Sequence, residues 1–244
     1  MKTTKFFSVM MILSLFFGMS SLFAGCQMIG GTSGDGNVLK ETRQVGSFNS
    51  IEISGAFDIV IKQGSAEEVT VETDHNILPI VRTVVEGNTL KIETKKPVYH
   101  TTVLKVYVTV KDLKMIDVSG AVNIKTDGLL TVPELSIDAS GASDAKMDIA
   151  VQKLTLDCSG ASKIRFTGTA VDVKMDLSGA SDIFNYELLA ESYDIEISGA
   201  GNAQINVSKK IHAEISGAGS VKYKGSPTEI DQSVSGAGSI KKVQ

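Results

Sequence analysis

Acidic side chains recur along this chain at Asp117, Asp138, Asp157, Asp176, Glu196 and Glu214, at intervals of 18 to 21 residues. If those carboxylates stack, something must offset their repulsion, because like charges directly opposite one another weaken a sheet. One reading is a stripe for a basic ligand or for a hard cation, which prefers oxygen ligands, centred on Asp138, Asp157 and Asp176. The other is a solvated face balanced by the basic column Lys125, Lys146, Arg165, Lys222 and Lys241. A second constellation, Asp144, Lys163 and Asp182, occupies one repeat position in three successive copies. Two strand spacings would part its carboxylates by roughly 9–10 Å. The trio suits a sugar or a cation, and equally a neutralised surface column.

A polysaccharide lyase or hydrolase is the enzyme class to weigh. Its site needs clustered acids, with Lys or Arg as the base in lyases, set in a groove with aromatic platforms. Trp is absent and aromatics make up 6% of the chain, which counts against such a groove. Two Ser-x-x-Lys matches, Ser143 with Lys146 and Ser239 with Lys242, would need a helix to bring their side chains together. His75, His100 and His212 are scattered and lack cysteine partners at metal-ligand spacing. Cys158 falls in an apolar column and reads as a small core residue. No catalytic residue, metal ligand or cofactor is assigned.

The elements that position these columns follow from an internal repeat. Ser-Gly-Ala begins at Ser54, Ser119, Ser140, Ser159, Ser178, Ser198, Ser216 and Ser235. One residue before each Ser, and three before most of them, stand apolar residues such as Cys158 and Leu156, with an acid between them in seven copies. That is period 2, a strand with one buried and one wet face. Five residues after each Ser comes a second inward column, Ile59, Ile124, Ala145, Ile164, Ile183, Ala203, Val221 and Ile240. A period near 19 residues holds three short strands and three corners, one coil of a β-helix, but no packing helix. The expected fold is all-β, a right-handed parallel β-helix of about ten coils with a less regular N-terminal part. The 65-residue gap from Ser54 to Ser119 is read as three further coils whose tripeptide has worn away. Gly in each corner supplies φ > 0, and stacked Ser hydroxyls bond along the ladder. Within the N-terminal part, residues 76–85 read as a short helix or an irregular loop.

The first 25 residues read as an export leader. Lys2 and Lys5 precede an apolar run from Phe6 to Phe17, too short for a membrane span. Leu22-Phe23-Ala24-Gly25-Cys26 resembles a lipobox, which makes Cys26 the expected lipidation site and the membrane a partner through its acyl anchor. The organisation expected is therefore a leader at 1–25, a Gly/Ser-rich tether at 26–44 and the β-helix at 45–244. The net charge is −4, about −6 once the leader's two lysines are removed. That excludes the basic footprint of a nucleic-acid binder. With Cys26 acylated, Cys158 has no disulfide partner, so the fold must rest on its core.

The segment Phe48-Asn-Ser-Ile-Glu-Ile-Ser-Gly-Ala-Phe-Asp-Ile-Val-Ile, the strands Val69-Thr-Val-Glu and Leu90-Lys-Ile-Glu-Thr, and the serial Ser-Gly-Ala coils resemble the auto-transporter adhesin head domain, also called the GIN domain. The resemblance covers roughly Val45 to Lys242 and implies a β-helix in a secreted lipoprotein of a gram-negative cell envelope, with the outer membrane as the expected location. It carries over no catalytic residues. The function expected is a binding, adhesion or structural module, with an unknown glycan or protein as ligand and homo-oligomerisation open. The alternatives are a degenerate polysaccharide lyase or hydrolase, or a self-associating envelope scaffold.

Overall fold

The structure, a computed structural model, describes residues 30–244. The leader and Cys26 lie outside the described residues. Among the described residues there are 17 strands, one 3-10 turn at Leu78–Ile80 and no α-helix. The N-terminal strands are β1 (Thr32–Ser33), β2 (Val38–Arg43), β3 (Ser50–Gln63), β4 (Glu68–Asp74), β5 (Val81–Glu86), β6 (Thr89–Thr94), β7 (Val98–His100) and β8 (Leu104–Val110). The repeats form β9 (Met115–Thr126), β10 (Leu130–Ala139), β11 (Asp144–Cys158), β12 (Lys163–Leu177), β13 (Asp182–Ile197), β14 (Asn202–Ile215), β15 (Ser220–Gly225), β16 (Glu229–Val234) and β17 (Ser239–Lys242).

From β9 onward every pairing is parallel and joins equivalent positions of successive coils. Ile164 lies opposite Ala145 and Ile183, and Leu156 lies opposite Ile137 and Met175. Both inward columns are buried through most of their length, from Ile51 and Ile53 to Ala213 and Ile215. The fold is thus a parallel β-solenoid. It has about 7 turns, fewer than the ten expected. The three strands expected per coil merge into one bent strand, because bends between faces leave the pairing intact. β11 runs 15 residues, and its bend shows as the consecutive exposed pair Gln152 and Lys153.

The shortfall in coils has a specific cause. β3 pairs directly with β9 in register, Ser50 with Met115 through Ile61 with Thr126, and the Ser54 and Ser119 hydroxyls are 2.8 Å apart. The 65-residue gap therefore holds no run of worn coils. It is an excursion that builds a cap on the first coil. β6 and β8 cover the outer edge of β3 in parallel, and β5, β4 and β2 then continue antiparallel. The stretch read as helix or loop is the 3-10 turn followed by a β5–β6 hairpin, reversed at Gly87, whose φ is +62°. The stretch read as tether includes β2, which pairs with β4 from Val38–Asp74 to Arg43–Val69. Polar composition misled here, because this edge strand is held by its backbone and by Arg43. That guanidinium donates to the carbonyls of Val81 and Leu78 at 2.7 and 2.8 Å. Charges on such an edge also discourage pairing with foreign strands.

The Ser-Gly-Ala corners are closed by backbone contact. A Cβ on Gly160 would lie 2.0 Å from the Gly141 carbonyl oxygen, and one on Gly141 2.0 Å from that of Gly120. That carbonyl instead accepts the Ala142 amide at 2.8 Å, and Gly141 accepts from Ala161 at 3.1 Å. Positive φ, the expected reason for glycine, holds at Gly55, Gly120 and Gly236 but not at the corners between them. Close approach to the preceding coil is the requirement at every corner after the first, Gly55. The hydroxyl ladder is also partial, since Ser140 donates to the Val118 carbonyl.

Candidate ligand-binding face

The repeat places the acidic and basic columns on the two strand segments that meet at each corner. Before the corner, Glu52, Asp117, Asp138, Asp157, Asp176, Glu196 and Glu214 lie opposite one another in an unbroken row. Its ends lie within reach of basic side chains: Lys91 Nζ is 3.7 Å from Glu52 and His212 Nε2 is 3.5 Å from Glu214. Its middle, among the described residues, has none within ion-pairing distance. Burial, then the neighbouring Asp138 and Glu52, push the Asp117 carboxyl above the ordinary range. Burial, then Asp138 and Asp176, do the same to Asp157. Among the described residues no ion pair joins this row to the basic column. No group of three or more His, Cys, Asp or Glu among them is arranged to hold a metal ion.

After the corner, the face begins with the column four residues beyond each Ser. Asp144, Lys163 and Asp182 come together in consecutive rungs, as the spacing implied. The column extends both ways. Asp58 accepts from the Asn123 amide at 2.8 Å, Asn123 lies opposite Asp144, and Asp182 accepts from the Asn202 amide at 2.9 Å. Ser220 then donates to Asn202 at 2.7 Å. Each carboxylate here thus has an amide or ammonium neighbour, unlike Asp117 of the acidic row.

Two residues further on, and so on the same side of the sheet, runs the basic column. Lys125 lies opposite Lys146, Lys146 opposite Arg165, and Lys222 opposite Lys241. Phe184 interrupts it. Lys163 Nζ and the Arg165 guanidinium stand 5.6 and 5.3 Å from the centre of its ring, within cation–π range. A little further along, Lys224 sits 4.6 Å above Tyr186. Where the cap meets the solenoid, Asp58, Asn123, Asp144, Lys105, Lys125 and Lys146 line a shallow recess of about 320 Å³.

Sequence reasoning missed Asp58, Asn123, Lys105 and Phe184. Asp58 and Asn123 carried a signal, since each stands four residues after its Ser, but the 65-residue gap concealed that their coils are neighbours. Lys105 comes from β8 in the cap, where no repeat points to it. A larger concavity of about 590 Å³ lies elsewhere, over Val132, Val151, Ala170 and Ala190. Glu191 is its one ionisable lining residue.

The other candidate groups separate. Ser143 is buried while Lys146 is exposed, as three residues' distance on a strand requires. His212 lies 3.0 Å from Asp231, and His75 3.6 Å from Asp35. Cys158 is fully buried, and burial above all raises its thiol to about 12, so it is an inert core residue.

A family model described as "putative auto-transporter adhesin, head GIN domain" matches residues 47–227. The chain belongs to this family. Among solved structures, a protein described as a putative adhesin from Bacteroides fragilis NCTC 9343 is similar with a TM-score of 0.83 at 26% identity, covering 87% of this chain and all of that one. A putative adhesin from Parabacteroides merdae ATCC 43184 gives a TM-score of 0.70 at 22% identity, covering 88% of this chain and 99% of that one. A protein described as a putative lipid binding protein from Parabacteroides distasonis ATCC 8503 gives 0.71 at 24%, covering 88% and 100%. The latter two likenesses bear on the fold alone. No curated protein matches the chain.

Proposed function

We propose that this GIN-domain protein is an adhesion-type binding module of the cell envelope, lipid-anchored through Cys26, that holds its ligand on the face carrying Asp144, Lys163 and Asp182. One observation carries the reading. The repeat presents hydrogen-bonding groups at one strand spacing along a single sheet face, with two cations, Lys163 and Arg165, over the Phe184 ring. Such a surface can grip an extended polar molecule at several rungs, and a rigid backbone ladder loses little entropy when it does so. The family and the Bacteroides fragilis likeness support adhesion as the class. Location at the outer membrane belongs to the same proposal.

The test is a glycan array probed with the protein from Gln27 onward, with and without calcium. Binding to a related set of glycans that is lost in Asp144→Ala or Asp182→Ala supports the reading. No binding, together with an envelope pull-down that yields nothing, overturns it. The recess favours a second reading, because it sets Asp58 and Asp144 beside Lys105, Lys125 and Lys146, the composition of a polysaccharide lyase. Release of an unsaturated sugar product from a uronate polymer would establish that reading in place of the first.

A further inference from the structure

We infer that the ligand of this face is an extended acidic polysaccharide, one with a carboxylate on every sugar, which lies along the basic column from the recess past Phe184. The inference rests on the binding-module reading and adds the chemistry of the ligand. Lys125, Lys146 and Arg165 stand opposite one another in three consecutive rungs, and Lys222 and Lys241 repeat the arrangement near the far end. Like charges opposite one another cost the fold stability. Among the described residues no carboxylate lies within ion-pairing distance of any of the five. An arrangement that opposes folding and is left unneutralised is explained by an anion with the same repeat.

Two features select the polymer. The neighbouring column, in which Lys163 stands between Asp58, Asn123 and Asp144 on one side and Asp182, Asn202 and Ser220 on the other, is rich in acceptors. Sugar hydroxyls donate to acceptors, whereas the phosphates of a nucleic acid offer no such donors. A uronate chain presents a carboxylate and free hydroxyls on each unit, so one column takes its charge and the other its hydroxyls. Beside Phe184, Lys163 joins Arg165 over the aromatic ring and supplies further positive charge.

The experiment compares the full chain's affinity for polygalacturonate with that for the fully methyl-esterified polymer, at low and at moderate salt. The expected result is binding to the acid that weakens as salt rises and binding to the ester that is at least about tenfold weaker. Lys125→Ala/Lys146→Ala should weaken binding to the acid by about tenfold, and Lys125→Glu/Lys146→Glu should abolish it. Lys209→Ala/Lys210→Ala, which removes equal charge from residues paired with Glu191 and Glu229, should leave binding unchanged. Equal affinity for acid and ester, or equal loss in both double-alanine variants, overturns the inference. Array binding confined to neutral glycans would also overturn it while leaving the binding-module reading in place.

Discussion

The cap and the solenoid solve one problem, covering strand edges, by different physics. In the solenoid, β11 to β14 each lie on the previous coil at equivalent positions, so backbone ladders and identical columns hold the stack. In the cap, the strands turn antiparallel and individual side chains tie them. The clearest tie is Asp74, buried beside the start of β2. It accepts from the Gly36 amide at 2.8 Å, the Thr102 amide at 2.7 Å and hydroxyl at 2.9 Å, and the Thr101 hydroxyl at 2.5 Å. Those four bonds, the Thr101 hydroxyl first, hold its carboxyl down at about 2. A column tolerates variation on its wet side, where only the backbone is needed. A cap depends on particular residues.

The largest effect should come from breaking the stack. Gly160→Val drives a side chain into the Gly141 carbonyl and should cost about 4 kcal/mol or more, read as loss of cooperative melting. Gly46→Ala, with nothing within 4 Å of the new Cβ, should stay within about 0.5 kcal/mol. Equal effects would show that the corners do not close by contact.

The cap should fail separately. Asp74→Ala should lower amide protection in β1, β2 and β7 by about tenfold while β11 to β14 keep theirs. Acid should do the same. The folded carboxyl titrates below its ordinary value of 3.8, so its contribution is whole above that value and is lost as pH falls through about 2. A cap that opens together with the solenoid in hydrogen exchange would erase the distinction.

A smaller effect concerns the residue just after each Ser-Gly-Ala. It is Phe57 and Val122 in the first two copies, Ser at 143, 162 and 181, and Gly at 201, 219 and 238. Ser181 donates to the Gly160 carbonyl at 3.3 Å, whereas a Cβ at Gly219 or Gly238 would meet Ile197 or Ile215 at 2.6 or 2.5 Å. Glycine at 219 and 238 thus leaves room for the isoleucine of the coil beneath. Gly219→Ser should cost about 1–3 kcal/mol in thermal melts. Ser162→Ala should gain about 1 kcal/mol, because that buried hydroxyl has no partner. A loss there instead would mean the hydroxyl is needed.

The smallest effect is electrostatic. Asp157→Asn should stabilise the fold by about 0.5 kcal/mol at neutral pH. The folded carboxyl is raised, so the cost of ionising it is full above its folded value and fades as pH falls. The gain should therefore vanish in mild acid. A loss at neutral pH would mean the row is neutralised by something bound.

The sequence by itself determined the solenoid, its inward columns and the rows facing outward. Parallel stacking repeats each coil's environment, so each coil's residues report the same constraint, and Asp144, Lys163 and Asp182 could be aligned by counting. Only the tertiary structure decided what the 65-residue excursion does, because pairing of β3 with β9 joins residues that no local pattern connects. The same contact made Asp58 a neighbour of Asn123 and brought Lys105 from the cap to the recess. It also decided that the acidic and basic columns meet across a corner without neutralising one another. Spacing along a chain fixes which residues share a column, but the bend between faces fixes which columns touch.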